Sequence, residues 1–419
     1  MDSVKLKIAE GVHIPFNKEL MLNIMLCIAW APLLLHYLRG VYIRLPFIGP
    51  EHIDKAIVIS VVLSVLCSLP ALINRFCLID YLFYFLSVFY ILSCYVFYPE
   101  NEIFLNENAL VCIFCVFTYY FVGRLIDIEK FFSVMIILST LCIFADIYYY
   151  FIFSPQSKAA NEVMDYDNMN GAYQVLPHIA LLLWSLLEKF RIWKAVVFVI
   201  GNLFLLSCGT RGPFACLGFF GIIYFFFYMN FKGAIYVKAG IITVLVIFFA
   251  ALNSMLYYIT VFFTNLNLST RILEQIVMGE LGNDSYRSVL RERIESVLEN
   301  GDHFWGLGAF GCRNYDVIYA HFLPLDLVST FGYFAGYTLL FLLFALIGIA
   351  FWRSRGTKRQ VFIVFMFSIS IIKLFLSNTF IMEPYFYMLI GVCMTELIAP
   401  AKKCEESSCN ASSLPCTSS

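Results

Sequence analysis

The chain has 419 residues, of which 61% are hydrophobic, 18% aromatic and only 14% charged. A water-soluble core stops growing at about 250–300 residues, and soluble chains carry about a quarter charged residues, so this composition excludes a cytosolic enzyme, a secreted disulfide scaffold and a disordered chain. The 28 basic and 29 acidic residues leave a net charge of −1, which argues against a nucleic-acid binder.

Residues 1–18 are polar and show no cleavable signal peptide. After them come about twelve apolar runs of the length a bilayer core requires. They lie near 19–38, 55–74, 78–98, 106–123, 130–153, 172–188, 192–208, 213–230, 236–263, 327–352, 360–380 and 384–400. The runs at 192–208 and 213–230 are close enough to be one helical hairpin. The fold class expected is therefore all-α: a polytopic membrane protein with about twelve transmembrane helices and one long extracytoplasmic loop. Helices 1–9 fall within 1–263, the loop with an amphipathic helix within 264–320, helices 10–12 within 321–400, and a cytoplasmic tail within 401–419. Among the 14 cysteines, Cys112 and Cys115 have CxxC spacing but sit inside a span, where small buried thiols are the ordinary reading. Cys404, Cys409 and Cys416 lack companion histidines, so no metal site is expected there.

Orientation follows from Lys and Arg, which collect on the cytoplasmic side. The cluster Arg353, Arg355, Lys358 and Arg359 places that turn inside. The 264–320 loop then lies outside, with both termini in the cytoplasm. The short outer loops agree in being acidic, with Glu100, Glu102 and Glu107, then Glu162, Asp165 and Asp167. Against this background the long outer loop carries Arg271, Arg287, Arg291, Arg293 and Arg313, and another outer break carries Arg211. Cations on the face where insertion does not favour them point to an anionic ligand; the alternative is that long loops translocate whatever their charge.

Within the loop, the spacing predicts a helix over 283–301, with Asp284 as N-cap and Gly301 as stop. Val289, Leu290, Ile294, Val297 and Leu298 share one face and Glu292, Glu295 and Glu299 the other. Arg293 falls in the middle of the apolar stripe, and Arg287 and Arg291 along its edge. Snorkelling, or an Arg291–Glu295 pair, is the bland alternative. Cys208-Gly209-Thr210-Arg211-Gly212-Pro213 is a tight polar break between apolar runs; an arginine at that depth is a functional candidate, with snorkelling again its rival. Trp305-Gly306-Leu307-Gly308-Ala309-Phe310-Gly311 reads as a close-packed turn returning the loop to the membrane. His321 follows at the seam with the next span, where a neutral imidazole takes a proton near pH 7; capping or packing is its ordinary alternative.

Taken in order, the Gly-Thr-Arg-Gly break, the basic loop helix, the Gly-x-Gly turn and His321 followed by Gly332 resemble the O-antigen polymerase and O-antigen ligase family of membrane glycosyltransferases. The resemblance covers roughly 165–350. Phe322 stands where the family often has a small polar residue, and Ala335 or Gly336 where it has a second small one. The resemblance implies a catalytic pair His321 and Arg211, and Arg287, Arg291 and Arg293 as ligands of an undecaprenyl-pyrophosphate-linked oligosaccharide. It implies a metal-independent glycosyltransferase without cofactor in the bacterial inner membrane. Its partners would be the lipid bilayer, the lipid-linked glycan, a chain-length regulator and a flippase, with no nucleic acid. A polymerase is the first expectation, a ligase of the same family the second. A flippase is the rival from another class, set against by sparse intramembrane charge: Asp80, Asp146 and Lys373.

Overall fold

The computed structural model describes residues 4–7, 13–16, 23, 26, 27, 29, 30, 76–150, 168–228, 258, 261, 285–300 and 304–398. Strands β1 (Val4–Lys7) and β2 (His13–Phe16) pair antiparallel. The described helices include α1 (Leu78–Phe97), α2 (Glu102–Leu125), α3 (Ile128–Tyr148), α4 (Asn168–Glu188), α5 (Ile192–Ser207) and α6 (Gly212–Ile223). There follow α7 (Ser285–Asn300), α8 (Leu323–Arg353), α9 (Lys358–Phe367), a π turn (Ser368–Ile372), α10 (Lys373–Leu376) and α11 (Pro384–Ile398).

Among the described residues, 5 helices are long and apolar enough to cross a bilayer: Leu78–Phe97, Pro99–Leu125, Ile128–Tyr148, Leu323–Arg353 and Lys358–Leu376. Ile192–Ser207, Gly212–Tyr228 and Pro384–Ile398 are shorter apolar helices. The spans expected near 19–38, 55–74 and 236–263 fall almost wholly outside the described residues. The runs 192–208 and 213–230 form two helices, α5 and α6, each packed on α4. Phe85, Phe89, Leu92 and Val96 stand exposed along α1, an apolar exterior suited to a lipid bilayer.

Helix starts are set locally. The Asp127 carboxylate accepts from the backbone N–H of Glu129 at 3.1 Å, capping α3. Asp80 accepts from the Cys77 N–H at 2.9 Å at the start of α1. Two glycines bring α2 and α11 together: a Cβ at Gly123 would overlap the Met388 carbonyl, and one at Gly391 the Tyr120 carbonyl. Small residues at a crossing let backbones approach, the usual device for helix contact in lipid. Trp30 sits in the core between Phe131 (centroids 4.9 Å apart) and Tyr385 (5.5 Å) and donates to Ser139 Oγ at 2.8 Å. Cys112 and Cys115 are buried free thiols in the same bundle.

The two ends of the bundle differ chemically. At one, Arg359 pairs with Glu396 at 2.6 Å, Lys358 with Glu129 at 3.8 Å, and Arg353 donates to the Leu397 carbonyl at 3.0 Å. Just inside it, Arg124 grips Asp80 through two nitrogens, at 2.6 and 2.9 Å, while the Tyr120 hydroxyl donates to the same carboxylate at 2.6 Å. Asp80, one of the sparse intramembrane charges expected, is thus neutralised by an arginine that the sequence places outside the spans.

At the other end the returning loop docks onto a break in α8. Gly332, with φ 82° and ψ 170°, interrupts the helix. A Cβ at Gly336 would lie 2.7 Å from the Val328 Cα, whereas eight residues of straight helix span about 12 Å. The part of α8 before Gly332 therefore folds back against the part after it. The carbonyls freed by the break are taken up: Ser329 O by the Leu307 N–H at 2.6 Å and Thr330 O by the Tyr90 hydroxyl at 3.2 Å. Tyr98 Oη donates to Trp305 O at 2.9 Å, and the Asn101 amide to Leu307 O at 2.8 Å. The loop return and the α1–α2 connection therefore share one end, opposite the basic cluster.

Candidate functional site

Helix α7 lies over this end. Leu290, Ile294 and Leu298 pack against Leu307, Cys312, Val317, Ala320, Leu325 and Val328. Burial pushes the Cys312 thiol up to about 12, so it stays protonated and donates to Ser329 Oγ at 3.4 Å. The packed face of α7 differs from the expected one. Val289 is 55% exposed, and Arg293, about 100° round the helix from the buried centre, is 51% exposed and lies 3.8 Å from Asp316. Arg293 also donates to Tyr315 O at 3.3 Å. An apolar stripe has two edges, and the floor beneath it contacts only one; Arg293 lies on the other.

Arg287 and Arg291, expected at the margin, instead point at the ends of the spans. Arg287 donates to the Leu376 carbonyl at 2.8 Å, at the negative end of the helix that closes with α10. Arg291 donates to the His321 carbonyl at 2.9 Å and stacks over Phe322 at 5.2 Å. Phe322, the departure from the small polar residue, thus supports an arginine. His321 adopts φ 56°, the left-handed region sparsely used by non-glycine residues. Its ring lies 4.2 Å from that of Tyr319, whose hydroxyl is 3.4 Å from Ser377 Oγ.

Arg211 begins α6 after a turn in which Gly209 takes φ 70°. Gly212, next to it, has the Tyr173 hydroxyl of α4 so close that a Cβ would overlap it. Tyr173 in turn connects the turn to the rest: the Lys373 ammonium sits 5.4 Å from its ring. The structure therefore brings Arg211, Arg287, Arg291 and His321 to one end of the bundle and turns Arg293 outward.

Several groups here escape sequence reasoning. Lys373, one of the sparse intramembrane charges expected, is paired with Glu383 at 2.5 Å, and the Asn378 amide donates to the same carboxylate at 2.7 Å. Asn378 has φ 75°, which reverses the chain between α10 and α11. Asp326, buried, accepts from the Phe380 N–H at 3.0 Å and holds that reversal to α8. A lysine inside a span requires a partner; Glu383, just before Pro384, is the signal that would have found it. No family model, curated protein or solved structure matches the chain.

Proposed function

We propose that the protein is a glycan polymerase of the bacterial inner membrane, acting through about twelve spans with the long loop outside and both termini in the cytoplasm. It transfers a glycan from an undecaprenyl-pyrophosphate donor to a lipid-linked repeat unit, as in O-antigen, capsule or exopolysaccharide assembly. The observation carrying the reading is the inward aim of Arg287 and Arg291, from an amphipathic helix, at the span ends where Arg211 and His321 also lie. Guanidiniums there suit a pyrophosphate at the membrane surface, whose lipid tail stays in the bilayer.

In the proposed step, the His321 imidazole takes the proton of the acceptor hydroxyl. That oxygen bonds to the anomeric carbon, the carbon–oxygen bond to pyrophosphate breaks, and its electron pair leaves with the lipid pyrophosphate. Arg211, Arg287 and Arg291 stabilise the departing charge. The test is purified protein reconstituted with lipid-linked repeat units: chain growth supports polymerase, transfer only to a lipid A core acceptor supports the ligase of the same family, and no transfer to either removes both.

The Lys373–Glu383 and Asp80–Arg124 pairs give a second reading some support, because charge inside the bundle is commoner than the sequence indicated and suits a lipid-linked oligosaccharide flippase. Movement of labelled glycolipid between leaflets of proteoliposomes, without chain growth, selects it.

A further inference from the structure

Beneath α7, three elements bury polar atoms that make no hydrogen bond: the Tyr173 hydroxyl of α4, Thr210 Oγ1 in the turn before α6, and Glu383 Oε1 before α11. Tyr173 is 6% exposed and Glu383 0%. Contacts link the elements that carry them. The phenol abuts Gly212, two positions from Thr210. The ring of Tyr173 faces the Lys373 ammonium at 5.4 Å, and that ammonium holds the second oxygen of Glu383 at 2.5 Å. Buried polar groups are nearly always satisfied, most strictly at membrane depth. Buried polar atoms left open on three connected elements are hydrogen-bonding capacity that a ligand can complete.

The kind of ligand follows from the atoms. Two are hydroxyls, able to donate and to accept; the third is a carboxylate oxygen, able only to accept. Lys373 and Glu383 together are neutral, and the open carboxylate oxygen repels an anion. A neutral group rich in hydroxyls fits, donating to Glu383 and exchanging bonds with Tyr173 and Thr210. We infer that Tyr173, Thr210 and Glu383 form a subsite for glycosyl hydroxyls, separate from the anion-binding arginines of α7. The inference rests on the glycan-transfer reading and divides its site into a sugar side and a pyrophosphate side.

The test uses full-length protein in nanodiscs and Tyr173→Phe, Thr210→Val and Glu383→Gln. Three probes are compared: undecaprenyl pyrophosphate bearing the host's repeat unit, undecaprenyl pyrophosphate alone, and the same repeat unit freed from lipid by mild acid. Removing an unsatisfied buried hydroxyl does not weaken the folded protein, so Tyr173→Phe and Thr210→Val are expected to keep or raise the ligand-free Tm. Each is expected to weaken binding of a sugar-bearing probe roughly fivefold, the worth of one hydrogen bond, and Glu383→Gln by more. Binding of undecaprenyl pyrophosphate alone stays unchanged. A loss for the sugar-bearing probes with binding of undecaprenyl pyrophosphate alone unchanged supports the subsite. Unchanged affinity for both, or an equal loss for undecaprenyl pyrophosphate alone, overturns the inference while wild-type chain growth keeps the function. A wild type that binds none of the probes and transfers nothing overturns both.

Discussion

Arg291 donates to the main-chain carbonyl of His321 at 2.9 Å, so the loop helix and the seam of the long span are joined at the residue we propose for proton transfer. Any movement of α7 is therefore felt at His321 directly, through one charge-assisted bond worth about 1.5–3 kcal/mol.

Arg287→Ala and Arg291→Ala are expected to abolish polymer formation at near-normal protein levels in the membrane. Arg293→Ala, whose side chain meets only Tyr315 and the exposed Asp316 among its described contacts, retains most of it. Lysine at 287 or 291 rescues partly, because a point charge does not replace the planar fork. Gel analysis of chain growth against immunoblotted protein decides; equal loss from all three alanine variants removes the distinction between the two edges of α7.

His321→Ala is expected to slow transfer by about 10²–10⁴-fold, the usual contribution of a positioned acid or base, with little change in donor binding. Glutamine hydrogen-bonds but takes no proton, so His321→Gln stays nearly as slow. Single-turnover transfer with lipid-linked repeat units measures both; full activity in the glutamine variant reduces His321 to a positioning role.

Gly332→Ala is expected to destabilise the protein. The φ 82°, ψ 170° backbone is nearly confined to glycine, at a cost of about 1–3 kcal/mol for other residues, and the added Cβ overlaps the Phe304 carbonyl. Gly348→Ala, in the same helix with nothing within 4 Å, is the control and gains slightly in helix propensity. Thermal unfolding in detergent compares them, and equal Tm values for the two variants contradict a packed break.

Arg124→Met leaves Asp80 buried and unneutralised, a loss of about 3–5 kcal/mol for a buried pair. The double variant Asp80→Leu, Arg124→Met is milder, since neither charge remains. Yield and Tm across the three proteins test this; a double variant worse than Arg124→Met alone shows that the pair contributes more than its own neutralisation.

Reporters fused after Asp302 and after Gly356 are expected to read opposite sides of the membrane, outer and cytoplasmic respectively. The described ends agree with opposition, since the loop return packs on Tyr98 and Asn101 while Arg353 and Arg359 meet Leu397 and Glu396. Like signals from both fusions remove the outer-face argument entirely.

Much of the helix order is legible in the sequence because apolar runs end at charged or glycine-rich breaks: 78–98 becomes Leu78–Phe97, and 283–301 becomes Ser285–Asn300. Facing is less legible. The α7 stripe admits two orientations, and only the floor made by Leu307, Val317 and Leu325 chooses Arg287 and Arg291 over Arg293. The break in α8 is hidden for a related reason: Gly332 and Gly336 stand out in the sequence only as motif glycines at the start of an apolar helix, and nothing marks a break until the loop return is placed against them. Lys373 and Glu383 are ten positions apart, too far to meet on one helix. The left-handed turn at Asn378 makes them neighbours.

Thr395 and Arg124 exchange hydrogen bonds across 271 positions, beside the glycine crossing of α2 and α11. At ordinary synthesis rates of about 5–20 residues per second, α2 enters the membrane tens of seconds before its partner leaves the ribosome. Throughout that interval the Gly123 face lies open to lipid, and Arg124 lacks its Thr395 partner. Closure of this crossing thus waits for α11, and a chain that stops short of Pro384 leaves the Gly123 face of α2 an unfilled groove.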